Sequence, residues 1–152
     1  MRLSASAPLP RRLVWTADFS RSRTAAALVG IIMERVMGIG GLFFRAKDPK
    51  TLAEWYRKNL GVDPVPADYG QKAWSQEAGP TAFAPFPKDS EHFGNAEKDW
   101  MINFRVRNLD AMVAQLRAAG IEVSVNPETY PNGRFARLND LEGNPIELWQ
   151  AM

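Results

Sequence analysis

The feature that most constrains this chain is an internal repeat with a spacing of about 60 residues. Phe44 and Arg45 recur as Phe104 and Arg105. In both copies the same order follows: a strand, a helix-capping residue, an amphipathic helix, a glycine and three further strands. A two-residue identity would mean little alone, but this order occurring twice indicates an internal duplication. The repeat predicts an α+β domain made of two βαβββ modules.

The helix signals are the clearest local patterns. Asp48 and Asn108 are good N-cap residues, since their side chains accept hydrogen bonds from the first free backbone N–H groups of a helix. The helices they open are predicted over 50–59 and 109–119, and a glycine ends each one.

Each helix is flanked by short runs of strand-forming residues bounded by turn residues. The predicted strands of the first module cover 39–46, 62–65, 71–76 and 81–86, and those of the second cover 99–106, 122–125, 133–138 and 145–150.

The faces of these strands can be sorted because alternate residues of a strand point to opposite sides of the sheet. In the last strand Ile146 and Leu148 are predicted to pack on the helices, so Glu147 and Trp149 point the other way. Asn103 of the fifth strand falls on the same side as Glu147. A face that mixes aromatic and polar groups is typical of a ligand-binding surface.

The N-terminal stretch differs from the rest in composition. Residues 1–36 hold six Arg against Asp18 and Glu34, so the remaining chain is acidic overall. This distribution argues against a nucleic-acid partner despite the high pI. We expect 1–36 to be a disordered extension or sequence upstream of a true start at Met37. A targeting segment and an appended helix at 24–37 are the alternatives.

The domain itself is predicted to cover 37–152, with modules at about 38–87 and 98–152. The apolar run at 25–32 is too short to cross a bilayer, so no membrane partner is expected. The chain has no cysteine, which is compatible with a reducing compartment, and we expect a cytoplasmic protein.

Several segments resemble one family. The ending at 140–149 (DLEGNPIELW) and the stretch at 103–106 (NFRV) resemble the second half of the vicinal oxygen chelate superfamily, the glyoxalase, bleomycin-resistance and extradiol-dioxygenase group. The stretch at 40–44 (GGLFF) resembles its opening. The resemblance implies curled, mostly antiparallel half-barrel sheets with helices outside, and a homodimer. The stretch at 83–87 (FAPFP) resembles a bacterial subgroup of this superfamily that is called glyoxalase-like. That name describes the fold and does not specify an activity.

The positions that hold a metal in this family are mostly changed here. By the resemblance they correspond to Gly41, the strand at 81–86, Met101 and Glu147, and neither glycine nor methionine is a useful ligand for a hard divalent ion. The chain has one histidine, His92, whereas a non-haem iron site of the extradiol type needs two imidazoles. We therefore expect no metal and no cofactor. A metal-dependent dioxygenase or glyoxalase I activity is not expected either.

Two residues are candidates for chemistry. Glu147 is read as a cavity carboxylate that orients a ligand or acts as a general base; the alternative is a structural ion pair with Arg45 or Arg105. His92 has a near-neutral reference pKa and is a candidate acid or base, or else a solvated loop side chain.

The other candidates are expected to bind a ligand. Arg45 and Arg105 occupy equivalent positions of the two modules and are suited to an anionic group, unless they reach solvent at the strand ends. Asn103 would hydrogen-bond the ligand or a structural partner, and Arg134 would edge a lid. The predicted ligand-binding set is Phe43, Arg45, Trp74, Asn103, Arg105, Arg134 and Trp149.

These observations predict a metal-free protein that binds a small organic molecule, with an anionic group favoured by the arginines. Two alternatives stay open. One is a lyase or isomerase that uses Glu147 as its base. The other is an interaction module whose cavity is filled by Trp149 and Phe43.

Overall fold

The computed structural model describes residues 34–152. The chain divides into two compact units at Leu42. Of the first unit the structure describes 34–42, which are mostly exposed and form neither helix nor strand. The predicted extension at 1–36 lies almost wholly outside the described residues. The second unit contains the elements α1 (Pro49–Leu60), β1 (Ile102–Arg105), α2 (Leu109–Ala118), β2 (Ser124–Val125), β3 (Arg134–Asn139) and β4 (Pro145–Gln150), with a short 3-10 turn at Glu91–Phe93.

Both predicted helices form, with bounds that differ by at most one residue at each end. The Asp48 carboxylate accepts a hydrogen bond from the backbone N–H of Thr51 at 3.0 Å, and Pro49 occupies the first helical position of α1. The Asn108 side chain accepts from the N–H of Ala111 at 2.9 Å and opens α2. Each cap satisfies a backbone donor that the helix itself leaves free.

The four strands of the second module form one mixed sheet with the order β1-β4-β3-β2. β1 runs parallel to β4, whereas β3 is antiparallel to both β4 and β2. Two of the three strand pairings are therefore antiparallel. In this register Glu147 lies directly between Asn103 on β1 and Arg137 on β3.

The core lies between one face of this sheet and α2, with α1 packed against the same cluster. Leu109 and Leu116 of α2 and Ile146 and Leu148 of β4 are fully buried. Each contributes about 1.5–3 kcal/mol through burial of apolar surface. The predicted assignment of alternate β4 residues to the helix side is confirmed. The remaining buried apolar residues are Leu52, Tyr56, Val113, Val123, Ala136 and Leu138.

A buried polar contact joins α1 to the turn between β3 and β4. The Tyr56 hydroxyl donates to Asp140 Oδ2 at 2.9 Å. The same carboxylate accepts from the backbone N–H groups of Glu142 and Asn144 at 2.9 Å each. Burial, together with the neighbouring Asp140, raises the pKa of Tyr56 well above its ordinary value. The tyrosine therefore stays a neutral donor and holds the first-module helix on the second-module sheet.

The α+β class is confirmed, but the strands expected in the first module are not formed. The segments at 39–46, 62–65, 71–76 and 81–86 have no strand structure and are almost entirely exposed. A strand is stable only when neighbouring strands accept and donate its backbone hydrogen bonds. Within the described residues, none of the segments from 62 to 86 has such a neighbour, so strand-forming residues alone do not produce a sheet there.

Candidate functional site

A cavity of about 600 Å³ lies on the sheet face that points away from the helices. Strands β2, β3 and β4 form its base, and the 3-10 turn and the stretch between β2 and β3 form its walls. The side chains that line it include those of His92, Asn126, Tyr130, Phe135, Arg137 and Glu147.

Three polar residues in adjacent strands form what we call the cavity floor: Arg137 and Glu147, which line the cavity, and Asn103, which lies beside Glu147. Asn103 Nδ2 donates to Glu147 Oε2 at 2.8 Å. Arg137 Nε and Nη2 both donate to Glu147 Oε1 at 3.3 Å. The Glu147 side chain is 11% exposed. This carboxylate is therefore covered and partnered on both oxygens.

The prediction of an ion-pair partner for Glu147 named the wrong arginine. The predicted pairing was with Arg45 or Arg105, whereas the structure pairs Glu147 with Arg137. Residues directly opposite each other on antiparallel strands have Cβ atoms about 5 Å apart, and this is the relation of Arg137 to Glu147. Arg105 lies two register pairs further along, opposite Trp149, and donates to the backbone carbonyl of Glu77 instead.

His92 reaches the cavity floor from the loop before β1. The Ser90 hydroxyl accepts from the His92 backbone N–H and fixes the turn. The imidazole stacks on Phe86 with a centroid distance of 4.4 Å and an interplanar angle of 8°. Its Nδ1 lies 3.0 Å from Arg137 Nη2.

The contact with Arg137 defines the proton position on His92. A guanidinium only donates hydrogen bonds, so Nδ1 must be the acceptor and the neutral ring carries its proton on Nε2. Burial lowers the pKa of His92, and the positive charge of Arg137 lowers it further, while Glu147 acts in the opposite direction. The geometry and the lowered pKa both favour the neutral imidazole.

Three rings beside the cavity floor form what we call the aromatic shelf: Tyr130, Phe135 and Trp149. Phe135 and Trp149 are nearly parallel, with an interplanar angle of 6° and centroids 6.3 Å apart. Tyr130 meets Phe135 edge-on at 5.9 Å. The Trp149 indole N–H donates to the Asn132 carbonyl at 2.7 Å, which fixes its orientation.

Glycine is required beneath this shelf. A Cβ at residue 133 would lie 2.7 Å from Trp149 Nε1 and would overlap the Gln150 carbonyl oxygen. Gly133 also has a φ of 133°, which side chains rarely allow. The turn can therefore approach Trp149 only without a side chain.

Five of the predicted site residues lie apart from the cavity floor. Phe43 is 89% exposed. Trp74 contacts Phe104 edge-on. Arg45 lines a second cavity with Lys47, Lys98 and Glu142. Arg105 contacts Glu77, and Arg134 makes a two-bond ion pair with Asp110 of α2 at 2.8–2.9 Å.

Arg137 and Phe135 are the site residues that sequence reasoning missed. Both lie in the correctly predicted strand β3, and they share a face because they are two residues apart. The signal was the tight turn at 140–144. This turn sets the register and places residue 137 opposite 147.

The residues of this site do not fit a divalent metal. In the part of the chain that the structure describes, no group of three or more His, Cys, Asp or Glu side chains lies close enough to hold an ion. The Glu147 carboxylate already accepts from Asn103 and from the Arg137 guanidinium. A divalent ion would have to displace a positive charge that lies 3.3 Å from the carboxylate oxygen.

Among the described helices, none has the length and apolar character to cross a membrane.

Residues 41–149 match the family described as a Glyoxalase-like domain, and the chain belongs to this family. The resemblance stated from the sequence is confirmed at this level. A comparison with curated proteins found no match.

Several solved structures are similar. A glyoxalase/bleomycin resistance protein from Streptomyces sp. CB03234 is 37% identical over 32% of this chain and 42% of its own length, with a TM-score of 0.30. The match thus spans less than half of that protein. TnmS3, an antibiotic binding protein from the same organism, is 26% identical over 69% of this chain and 88% of its own, with a TM-score of 0.45. A glyoxylase/bleomycin resistance protein/dioxygenase domain from Frankia sp. EAN1pec is 15% identical over 78% of this chain and 100% of its own, with a TM-score of 0.49.

Proposed function

We propose that this chain is a metal-free protein that binds a small organic molecule in the cavity above Glu147. The observation that carries the proposal is the combination of an open cavity of about 600 Å³ with the cavity floor and the aromatic shelf. Small-molecule sites in proteins are typically concave, about 300–1,000 Å³ in volume and lined by rings with a few oriented polar groups.

The contacts of Glu147 favour binding over catalysis. A general base needs an oxygen directed at the proton that it removes. The two oxygens of Glu147 already accept three hydrogen bonds from Asn103 and Arg137. His92 is also poorly suited to act as a base, because its unprotonated Nδ1 accepts from Arg137. These contacts support an orienting role for both side chains rather than the lyase or isomerase mechanism.

The orientation of Trp149 favours binding over a purely structural domain. The alternative of a filled cavity required Trp149 and Phe43 to occupy it. Trp149 instead stacks beside Phe135 and donates to Asn132, while Phe43 is exposed. The space above Glu147 is therefore available to a ligand.

The binding proposal is tested by ligand titration with matched variants. Aromatic compounds that raise the Tm of the wild-type protein would be titrated against Phe135→Ala and Tyr69→Ala. Tyr69 is fully exposed and serves as the control. Loss of ring contact is worth about 0.5–1.5 kcal/mol, so Phe135→Ala should weaken binding by roughly 2- to 12-fold. Compounds that bind Phe135→Ala and wild type equally would contradict the proposed location.

We further propose that the protein acts as a cytoplasmic homodimer. Phe43, Val65 and Phe83 are each at least 85% exposed in a single chain. Large apolar side chains this exposed are candidates for burial against a second chain. The family resemblance and the lack of cysteine support the same assignment.

Sedimentation equilibrium of the wild type and of Phe83→Asp tests the dimer. We expect twice the chain mass for the wild type and the mass of one chain for Phe83→Asp, because a buried unpaired carboxylate is costly at an interface. A wild-type protein that sediments as a single chain at high micromolar concentration would contradict the dimer.

A further inference from the structure

The hydrogen-bonding groups around the cavity are unevenly divided between acceptors and donors. The Glu147 carboxylate accepts three bonds, out of about four that a carboxylate can accept. His92 Nδ1 accepts from Arg137. Asn126 Oδ1 accepts from the backbone N–H of Glu128 at 3.0 Å. The acceptors of these three residues are thus largely occupied, and the lining side chains that keep a free acceptor oxygen, such as Ser124 and Asn132, are neutral.

The donors are not occupied to the same degree. Arg137 uses Nε and Nη2 toward Glu147 and His92, and its Nη1 has no acceptor among residues 34–152. The Nε2–H of neutral His92 likewise has no acceptor in this part of the chain. The Tyr130 hydroxyl accepts from Asn126 Nδ2 at 3.2 Å, and its own proton has no described partner. At least three donors therefore remain at the cavity.

The donors of Arg137 and His92 are held in place before any ligand arrives. One edge of the Arg137 guanidinium is fixed by Glu147, and its Nη2 is also fixed by His92. The His92 ring is in turn fixed by its stack on Phe86. A planar guanidinium held on one side presents its remaining N–H groups in a defined direction. A ligand that binds there loses little free energy to ordering of the protein.

The charges around the floor favour an acceptor that is neutral or negative. The Arg137 charge is opposed by Glu147, while His92 faces both groups in its neutral form. A cationic ligand would meet the Arg137 charge and the donors of His92 and Tyr130, and the free side-chain acceptors left to it, such as those of Ser124 and Asn132, are neutral. An oxygen acceptor would satisfy N–H groups that are otherwise left to water.

We infer that the cavity takes a flat aromatic molecule bearing an oxygen acceptor, as in an aryl carboxylate or an aryl ketone or amide. The oxygen binds Arg137 and His92, and the ring lies against Phe135. This inference rests on the proposed binding function and adds the chemical class of the ligand. It assigns ligand orientation to Arg137, a residue that the repeat pattern did not indicate.

Three naphthalene derivatives of similar shape test the inference: naphthoate, naphthamide and naphthylmethylammonium. The first two carry an oxygen acceptor, charged and neutral respectively, and the third carries only donors. We expect naphthoate to bind at least roughly tenfold more tightly than the ammonium compound, with naphthamide between them, because charge-assisted hydrogen bonds are the stronger ones. Isothermal titration at pH 7.5 measures the three affinities.

Variants then locate the binding energy. Arg137→Gln and Arg137→Lys should weaken naphthoate by roughly tenfold, since both lose the fixed fork of donors. His92→Phe keeps a ring on Phe86 but removes the donor, and it should weaken naphthoate by a few fold. Arg107→Gln is the control, because Arg107 is exposed, pairs with Glu77 and does not line the cavity. Circular dichroism confirms the fold of each variant, and Arg137→Lys decides the result if Arg137→Gln does not fold.

The outcomes separate the two proposals. Equal binding of naphthoate and the ammonium compound that is lost in Phe135→Ala would overturn the ligand class and leave the binding function standing. Naphthoate affinity that is unchanged in both Arg137 variants but lost in Phe135→Ala would do the same. Failure of all three compounds to bind, together with no hit in the thermal screen, would overturn both.

Discussion

The two halves of this domain carry the same pattern of residues but do not form the same structure. Each half has a polar N-cap, an amphipathic helix and a terminating glycine, and both helices form. The strands form only in the second half, where β1, β4, β3 and β2 lie side by side. The corresponding segments of the first half form no strand and are almost entirely exposed.

The difference reflects where the hydrogen bonds of each element are made. A helix satisfies most of its backbone groups internally, so a capped amphipathic helix forms wherever it finds an apolar surface. A strand depends on its neighbours. β4 has a partner on each side, whereas the segments from 62 to 86 have none within the described chain. The same local sequence signal is thus sufficient for a helix and insufficient for a strand.

The largest expected effect is on the free energy of unfolding, and it differs between the two halves because one substituted residue is buried and the other is exposed. Leu148→Ala in β4 should lower the free energy of unfolding by about 2–5 kcal/mol, because it leaves a cavity in a fully buried site. Val65→Ala in the first half, measured at a protein concentration low enough to keep the chain monomeric, should change it by less than about 0.5 kcal/mol, since Val65 is exposed in a single chain. Urea unfolding of both variants gives these values. Similar losses at the two positions would contradict the comparison, and a Val65 loss that grows with protein concentration would indicate cover by a second copy.

The next effect concerns the contact that joins the halves. Tyr56→Phe removes the hydroxyl that donates to buried Asp140, and it leaves that carboxylate one donor short. We expect a loss of about 1–3 kcal/mol in the free energy of unfolding. Tyr69→Phe is the matched control, since Tyr69 is fully exposed and should change nothing measurable. If Tyr56→Phe were as stable as Tyr69→Phe, the helix of the first half would be held by apolar packing alone.

The smallest effect is in the titration of His92. Burial and Arg137 lower the pKa of His92 below its ordinary value of about 6.5. The folded protein therefore binds this proton less readily than the unfolded chain. The resulting stability is present above pH of about 6.5 and is lost as the pH falls toward the folded pKa.

NMR can follow this titration directly, because the chain contains a single histidine and hence a single imidazole signal. We expect a midpoint below that of a model peptide, and a higher midpoint in Arg137→Gln. A midpoint in Arg137→Gln equal to that of the wild type would show that Arg137 does not contact the ring in solution.

The parts of the fold that follow from neighbouring residues could be predicted from the sequence. Asp48 and Asn108 marked both helix starts, and the alternation along β4 correctly separated Leu148 from Glu147. Asn103 and Glu147 were expected on one face, and they are hydrogen-bonded there.

The remaining contacts of the site depend on how the strands pair and how loops fold back, and the pattern within a single segment does not specify either. Arg105 and Arg45 occupy equivalent positions of the repeat, yet neither reaches Glu147. The register of β3 against β4 instead places Arg137 opposite Glu147. The position of His92 was not predictable either. It follows from a short capped turn and a stack on Phe86, neither of which leaves a periodic signal.

The most direct test of the proposed site is an NMR titration of the labelled protein with naphthoate, observed at side-chain N–H groups. Arg137 Nε–H and Trp149 Nε1–H should shift along one saturating curve, while the corresponding group of Arg107 stays unchanged. Saturable binding that leaves Arg137 and Trp149 unmoved, and shifts residues around Lys47 and Lys98 instead, would contradict the assignment of the cavity above Glu147 as the binding site.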